Sequence, residues 1–477
     1  MVIESERLKK RIQIVSGCAV LLFGGMVAWS FWGAPARIGT TDERSALIAE
    51  YKQKQNKRGS IYDAGMNLIA SSPETGTQNR VYTSEQEAMA WGSVVGYSSD
   101  RYTQSGVEAA CNVLLMTAPD GNSKDGSSLQ LTLRKDLQLT LAAQLKQYEH
   151  VKGAVGIVMD AETGEIWANV STPLLNIQAI DSTFAQAQDG MFYNKALLGQ
   201  IPGSVMKLIS ARAILKAGKA QEIYTDTGQE FIGNHPIRNY GGASYGAIDL
   251  RQGIGRSVNT YFAHMALDPA IRADGLEETW QAFYLTKDIA LDFGTLKAAA
   301  LNARNGDGTD NLWEIAQTAF GQGTATQVSP LHIAMVTATI ANNGNMPKPY
   351  MVQRVIWPDG KKEEATEPEI LQSGILTAQE CGIIKDGMRI SAERLFGANT
   401  AATNSIYSKT GTAEVGTHGE RTNQWLTFIA TTGGRDFVIT LAIYDQPGGS
   451  TGSSLGAIGS AIYNALAAEV QRETAAG

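Results

Sequence analysis

The chain has 477 residues, more than one ordinary core holds, so two or three units are expected. Its 43% hydrophobic and 18% charged residues exclude a disordered chain, and its net charge of −7 leaves no basic surplus to neutralise nucleic-acid phosphates. Three cysteines without CxxC spacing and five histidines without HExxH spacing give no disulfide framework and no support for a metal mechanism.

The first element is a charge-free run from Ile12 to Gly33. It is long enough to cross a bilayer as a helix, which takes about 20 residues. Lys9, Lys10 and Arg11 precede it, and only Arg37 stands close behind. The positive-inside rule puts the N-terminus in the cytoplasm and the rest outside. A cleaved signal peptide ending near Ala34-Pro35-Ala36 is the rival reading, but the apolar run is longer than a usual signal core. A lipoprotein signal at Cys18 has too little apolar sequence before it. The outer end carries Trp29, Phe31 and Trp32, as interfacial aromatics do.

Residues 34–150 form a first ectodomain unit, read as mostly β. Short runs such as Gly59-Ser60-Ile61-Tyr62 are broken by turn signals, and Leu129 to Leu133 alternates with strand period. Leu137 to Tyr148 reads as an amphipathic helix. Residues 151–477 form a second unit. It opens with a hairpin, Ala154 to Asp160 and Glu165 to Val170. It closes with strands near Tyr407–Val415, Gln424–Thr431 and Phe437–Tyr444, then a helix over about 455–470. The middle, about 195–395, is mostly helical. The fold class is α+β: a five-stranded antiparallel sheet covered by helices, with a helical subdomain. Cys111 and Cys381 lie far apart in sequence and read as free thiols.

Three short segments carry chemistry. Pro202-Gly203-Ser204 enters a helix that runs to Gly218, and Ser204 and Lys207 share a face at i and i+3. Apolar neighbours lower a lysine's pKa by desolvation, so a neutral Lys207 can take the Ser204 proton. The plain alternative is a serine cap with a surface lysine. Ser257-Val258-Asn259 puts a hydroxyl and an amide on a tight loop; the alternative is a helix cap. Lys409-Thr410-Gly411-Thr412 lies on a strand. Lys409 offers a charge for a carboxylate and repels a proton from Lys207. Thr410 and Thr412 present hydroxyls on one face. Gly411 clears a side chain where a substrate strand would lie. The backbone N–H groups of Ser204 and Thr412 can form an oxyanion hole. The alternative is a polar edge strand guarded by lysine.

Together, in this order, the three segments resemble the Ser-x-x-Lys, Ser-x-Asn and Lys-Thr-Gly set of penicillin-binding proteins. Val258 stands where class A β-lactamases carry Asp, which argues against a β-lactamase. From about Arg58 onward the chain is similar to class B penicillin-binding proteins with a short pedestal. Arg58-Gly59-Ser60-Ile61-Tyr62-Asp63, Phe320-Gly321-Gln322-Gly323 with Val328-Ser329-Pro330, and Lys409 through Glu414 carry the likeness. Ala64 and Met66 depart from the family's usual Arg and Gly.

The resemblance implies a peptidoglycan D,D-transpeptidase with a serine acyl-enzyme, a bacterial cell-membrane location, and no metal or organic cofactor. It implies that Ser204 attacks the penultimate D-alanine carbonyl of a stem peptide, with Lys207 as base. Ser257 and Asn259 pass a proton and position the peptide, and Lys409, Thr410 and Thr412 hold the terminal carboxylate. β-Lactams would acylate Ser204. A membrane glycosyltransferase of the SEDS family is the implied partner. The residues leave open a D,D-carboxypeptidase, a β-lactam sensor or β-lactamase-like protein, and a scaffold for a glycan polymerase.

Overall fold

Five strands pair antiparallel in the order Tyr407–Val415, Arg421–Thr432, Arg435–Pro447, Ala154–Asp160, Ile166–Ser171. The computed structural model describes residues 56–476, apart from 119–122, 124, 150–151, 188–189, 324 and 417–418. The anchor at 12–33, the tail before it and Cys18 lie outside the described residues. Among the described residues, no helix is long and apolar enough to cross a membrane.

Strand alternation sorts the sheet's side chains into two cores. Phe437, Ile439, Leu441 and Ile443 face one way, with Val158 and Phe428, and pack under the helices Lys135–Leu145 and Gly456–Ala476. Val155, Ile157, Met159, Val438 and Ala442 face the other way, where the helix Pro330–Ala341 is buried along its whole length. Both faces are therefore covered, and the strand Tyr407–Val415 is left as a free edge.

The first unit differs from the mostly β expectation. Its strands are short, and the helices Glu85–Val95, Gly106–Ala110, Asn112–Met116 and Lys135–Leu145 hold more of it. The Glu85–Val95 helix begins at a cap in which the Ser84 hydroxyl accepts from the Glu87 N–H. It is rich in small residues because it packs closely: a Cβ at Gly92 would lie 2.0 Å from the Leu175 carbonyl oxygen. Gly92 thus acts as a helix-packing residue in the fold.

The two units share a sheet. Val352–Ile356 pairs antiparallel with Ser128–Leu131, which pairs in parallel with Ile61–Tyr62. A strand from the middle of the chain thereby ties the pedestal to the catalytic unit. Cys111 and Cys381 are both buried and free.

Beneath this sheet lies a buried charge cluster. Glu108 accepts from Arg58 Nε at 2.7 Å and from Arg80 Nε at 2.6 Å, and all three side chains are fully buried. Removing the carboxylate leaves two guanidinium groups in the interior without their counter-charge. Glu108→Ala is expected to cost about 3–5 kcal/mol, read as a lower denaturation midpoint at an unchanged slope.

Candidate active site

The loop before Ser204 is held by close backbone approaches. Gly203 has φ +57°, and its N–H donates to the Gly321 carbonyl at 2.8 Å. A Cβ on Gly203 would lie 2.7 Å from the Thr412 carbonyl group. Gly321, at φ +84°, has no room either, because a Cβ there would lie 1.8 Å from the Gly203 oxygen. Trp425 Nε1 donates to the Ile201 carbonyl at 3.1 Å. The loop is thus pinned between the edge strand and the end of the helix Leu312–Phe320.

Ser204 does not sit on an α-helical turn. Residues Gly203–Met206 form a 3₁₀ turn, and the α-helix starts at Lys207 and ends at Lys216. A 3₁₀ turn has three residues, so positions i and i+3 eclipse. Lys207 therefore stands directly over Ser204, with Nζ 2.8 Å from Oγ.

Lys207 is fully buried and lies near four oxygens: Ser204 Oγ at 2.8 Å, the Ser257 carbonyl at 2.8 Å, Asn259 Oδ1 at 2.7 Å and Ser257 Oγ at 3.2 Å. No ion pair joins it to a carboxylate among the described residues. Burial, and then the like charge of Lys409, push its pKa well below the ordinary lysine value. Two N–H groups donate to the Ser257 carbonyl and Asn259 Oδ1, which can only accept; once the amine is neutral, its lone pair is left for the Ser204 hydroxyl.

Ser257 lies between the helices Leu250–Gly255 and Asn259–Ala266 at φ +61°. A non-glycine residue in this left-handed region is strained, a condition concentrated at functional sites. It caps nothing: the N-cap is Val258, without a side-chain bond. Asn259 is oriented by two partners, since Nδ2 donates to the Arg238 carbonyl at 2.9 Å while Oδ1 faces Lys207.

Lys409 is 1% exposed and donates to Ser257 Oγ at 2.9 Å and to the Thr410 carbonyl at 2.8 Å. Burial, and then the charge of Arg394, lower its pKa to about 7. Ser257 Oγ therefore bridges two lysines whose charges oppose each other.

A cleft of about 970 Å³ opens over these groups, lined by Ser204, Ser257, Asn259, Lys409, Thr410 and Thr412 among others. The sequence-expected residues thus come together, with one change of role. Gly411 does not clear the outer edge. A Cβ there would meet the Pro202 oxygen at 2.8 Å and Trp425 Cβ at 3.1 Å, so it makes room for the serine loop inside. No group of acidic, His or Cys side chains suited to a metal occurs among the described residues.

Some supporting groups were given no role by the sequence, although Gln322 lies in one of the segments that carry the resemblance. Gln322 Nε2 donates to the Thr412 carbonyl at 3.3 Å, from across the cleft. Buried Asp226 takes Asn239 Nδ2 on both oxygens at 3.0 Å and the Thr260 hydroxyl at 2.7 Å, bracing the helix that starts at Asn259. In sequence, Asp226-Thr227-Gly228 reads only as a turn. Arg238, Arg256 and Arg394 line the cleft without an ion pair to any described residue.

Comparison with known proteins agrees with this arrangement. The profile of the penicillin binding protein transpeptidase domain matches residues 154–464, and that of the penicillin binding protein A dimerisation domain matches 58–135. Peptidoglycan D,D-transpeptidase PbpA of Mycolicibacterium smegmatis is 27% identical over 96% of this chain and 95% of its own. PbpA of Mycobacterium tuberculosis is 27% identical over 95% of this chain and 97% of its own. A D,D-transpeptidase domain from Eggerthella lenta superposes with a TM-score of 0.74 at 26% identity, over 87% of this chain and 99% of that one. Penicillin-binding protein A from M. tuberculosis, solved as a ceftriaxone acyl-enzyme, shares the fold with a TM-score of 0.71 at 22% identity, over 87% of this chain and 99% of that one. The first profile alone spans well over half of the chain, which therefore belongs to the class B penicillin-binding proteins.

Proposed function

We propose that this peptidoglycan D,D-transpeptidase acts through Ser204, with Lys207 as its base. The observation that carries the reading is the buried Lys207 Nζ 2.8 Å from the Ser204 hydroxyl, in a setting that lowers its pKa well below the ordinary lysine value. The Ser204 proton moves to Lys207 Nζ as Oγ attacks the carbonyl of the penultimate D-alanine. The N–H groups of Ser204 and Thr412 take the oxyanion; Gly203 packs its backbone against Thr412, which favours that pairing. The intermediate collapses, the peptide bond breaks, and the proton passes from Lys207 through Ser257 Oγ to the departing D-alanine nitrogen. Lys409, Thr410 and Thr412 hold the substrate's terminal carboxylate. An acceptor amine then attacks the acyl carbonyl, gives its proton to Lys207, and the proton returns to Ser204 Oγ as the ester breaks. The new amide is the crosslink.

β-Lactams follow the first half of this path and stop at the acyl-enzyme. The charge-free run at 12–33 supports a single anchor with the catalytic unit outside the membrane, 34–150 serving as pedestal and 151–477 as transpeptidase unit. The resemblance to class B proteins supports a SEDS-family glycosyltransferase as partner. Mass spectrometry of the penicillin-treated protein tests the core of the reading. One stable adduct is expected, on the peptide holding Ser204, and none in Ser204→Ala. An adduct on another residue, or rapid hydrolysis of the penicillin, overturns it.

A further inference from the structure

The strand Tyr407–Val415 pairs on one side only, with Arg421–Thr432. Alternate residues on a strand share a face. Thr410, Thr412 and Glu414 therefore point the same way, and all three line the cleft. Two residues of rise put Glu414 about 6.6 Å beyond Thr412. Glu414 is exposed, and no ion pair or hydrogen bond joins its carboxylate to any described residue. Gly419, at φ +68°, has no side chain where a Cβ would lie 3.2 Å from Glu414 Oε2.

The direction of the donor peptide follows from the site described above, and this inference rests on that reading. With the terminal carboxylate at Lys409 and Thr410 and the reacting carbonyl at the Thr412 amide, the donor runs antiparallel to the strand. It extends the sheet edge as an added strand does. One residue further back, the donor lies beside Ala413, about 3.3 Å short of Glu414, a gap that a long side chain ending in an amine spans. The cations of the cleft, Arg238, Arg256, Arg394 and Lys409, leave Glu414 as the carboxylate among its lining residues.

We propose that Glu414 is a specificity-determining residue that receives a cationic amine on the side chain of the donor residue preceding D-Ala-D-Ala. Donors with a free diamino-acid side chain are then preferred over donors whose amine is acylated. Where that amine also serves as acceptor, the enzyme prefers stems not yet consumed in an earlier crosslink.

The test uses two penicillins, one whose side chain ends in a primary amine and its N-acetyl twin. Second-order acylation rates are measured for the intact protein, Glu414→Gln and Glu414→Lys. The native protein is expected to favour the amine about fivefold, the size of one partly exposed ion pair. Glu414→Gln should bring the ratio to about one, and Glu414→Lys should invert it. The same ratio in all three proteins overturns the assignment to Glu414. If the native protein is acylated by neither compound, it is the serine acyl-enzyme reading that fails instead.

Discussion

Replacing Lys207 by methionine is expected to slow β-lactam acylation of Ser204 by about 10²–10⁴-fold, the range that a positioned general base supplies. Methionine keeps an unbranched chain in the same buried space but cannot take a proton. Lys207→Arg is expected to fail as badly for a different reason. Its guanidinium does not deprotonate in proteins, so it presents only donors to the Ser204 hydroxyl. A role limited to filling space or holding Ser257 would leave one of these variants active. Stability moves separately. In the methionine variant the Ser257 carbonyl and Asn259 Oδ1 lose their donor, at about 1–3 kcal/mol for each group left unpaired. The cost of burying an amine disappears at the same time. Stopped-flow acylation rates, normalised to folded protein by near-UV circular dichroism, separate the two effects. Retention of the native rate within tenfold by the methionine variant would rule out Lys207 as the base.

What the sequence disclosed about this site follows the range of the interactions. Ser204 and Lys207 are neighbours on one turn, so their contact was legible from spacing. So was the desolvation of Lys207, because the residues around it are apolar. The five strands of the sheet were legible as a hairpin opening the second unit and three strand-like runs near its end, and the last helix by its composition. The order in which those strands pair is not local and had to come from the fold. So did the pairing of Val352–Ile356 with Ser128–Leu131, whose partners stand more than two hundred residues apart. Two errors have physical causes. In sequence Gly411 has the usual meaning of a strand glycine, an open edge, whereas in the fold it answers to the Pro202 carbonyl oxygen brought close by tertiary packing. Ser204 was placed on an α-helix because a short 3₁₀ turn has the same local pattern; only the packing of Gly203 against Thr412 and Gly321 tightens it. Gln322 and Arg394 reach the cleft from distant segments, and no spacing rule connects them to Ser204.

The second large effect is on pH dependence, and its sign follows from the two lysines. Lys409 has its pKa lowered to about 7 by burial and Arg394, so in the free enzyme it is charged below that pH and neutral above it. A bound carboxylate stabilises the charged form and raises this pKa. Above pH of about 7, binding must therefore take up a proton, and KM for a carboxylate-bearing donor is expected to rise about tenfold per pH unit until the pKa of the complex is reached. Lys207 acts in the opposite direction. It must be neutral to act as a base, and burial and the charge of Lys409 lower its pKa, so the acylation rate falls as pH drops through that pKa. The profile of kcat/KM is thus a bell whose alkaline side belongs to Lys409 and whose acid side belongs to Lys207. Stability follows a different rule: the unfolded chain holds the Lys409 proton up to about 10.4, so unfolding free energy rises with pH across the window in which activity is lost. Lys409→Gln tests both sides at once. The alkaline limb should vanish, because no charge remains to be lost. The acid limb should move to higher pH, because burial still depresses Lys207 but the repulsion from Lys409 is gone. An alkaline limb that survives the substitution would assign the carboxylate charge elsewhere, and an acid limb that stays in place would show that the charge of Lys409 does not lower the pKa of Lys207.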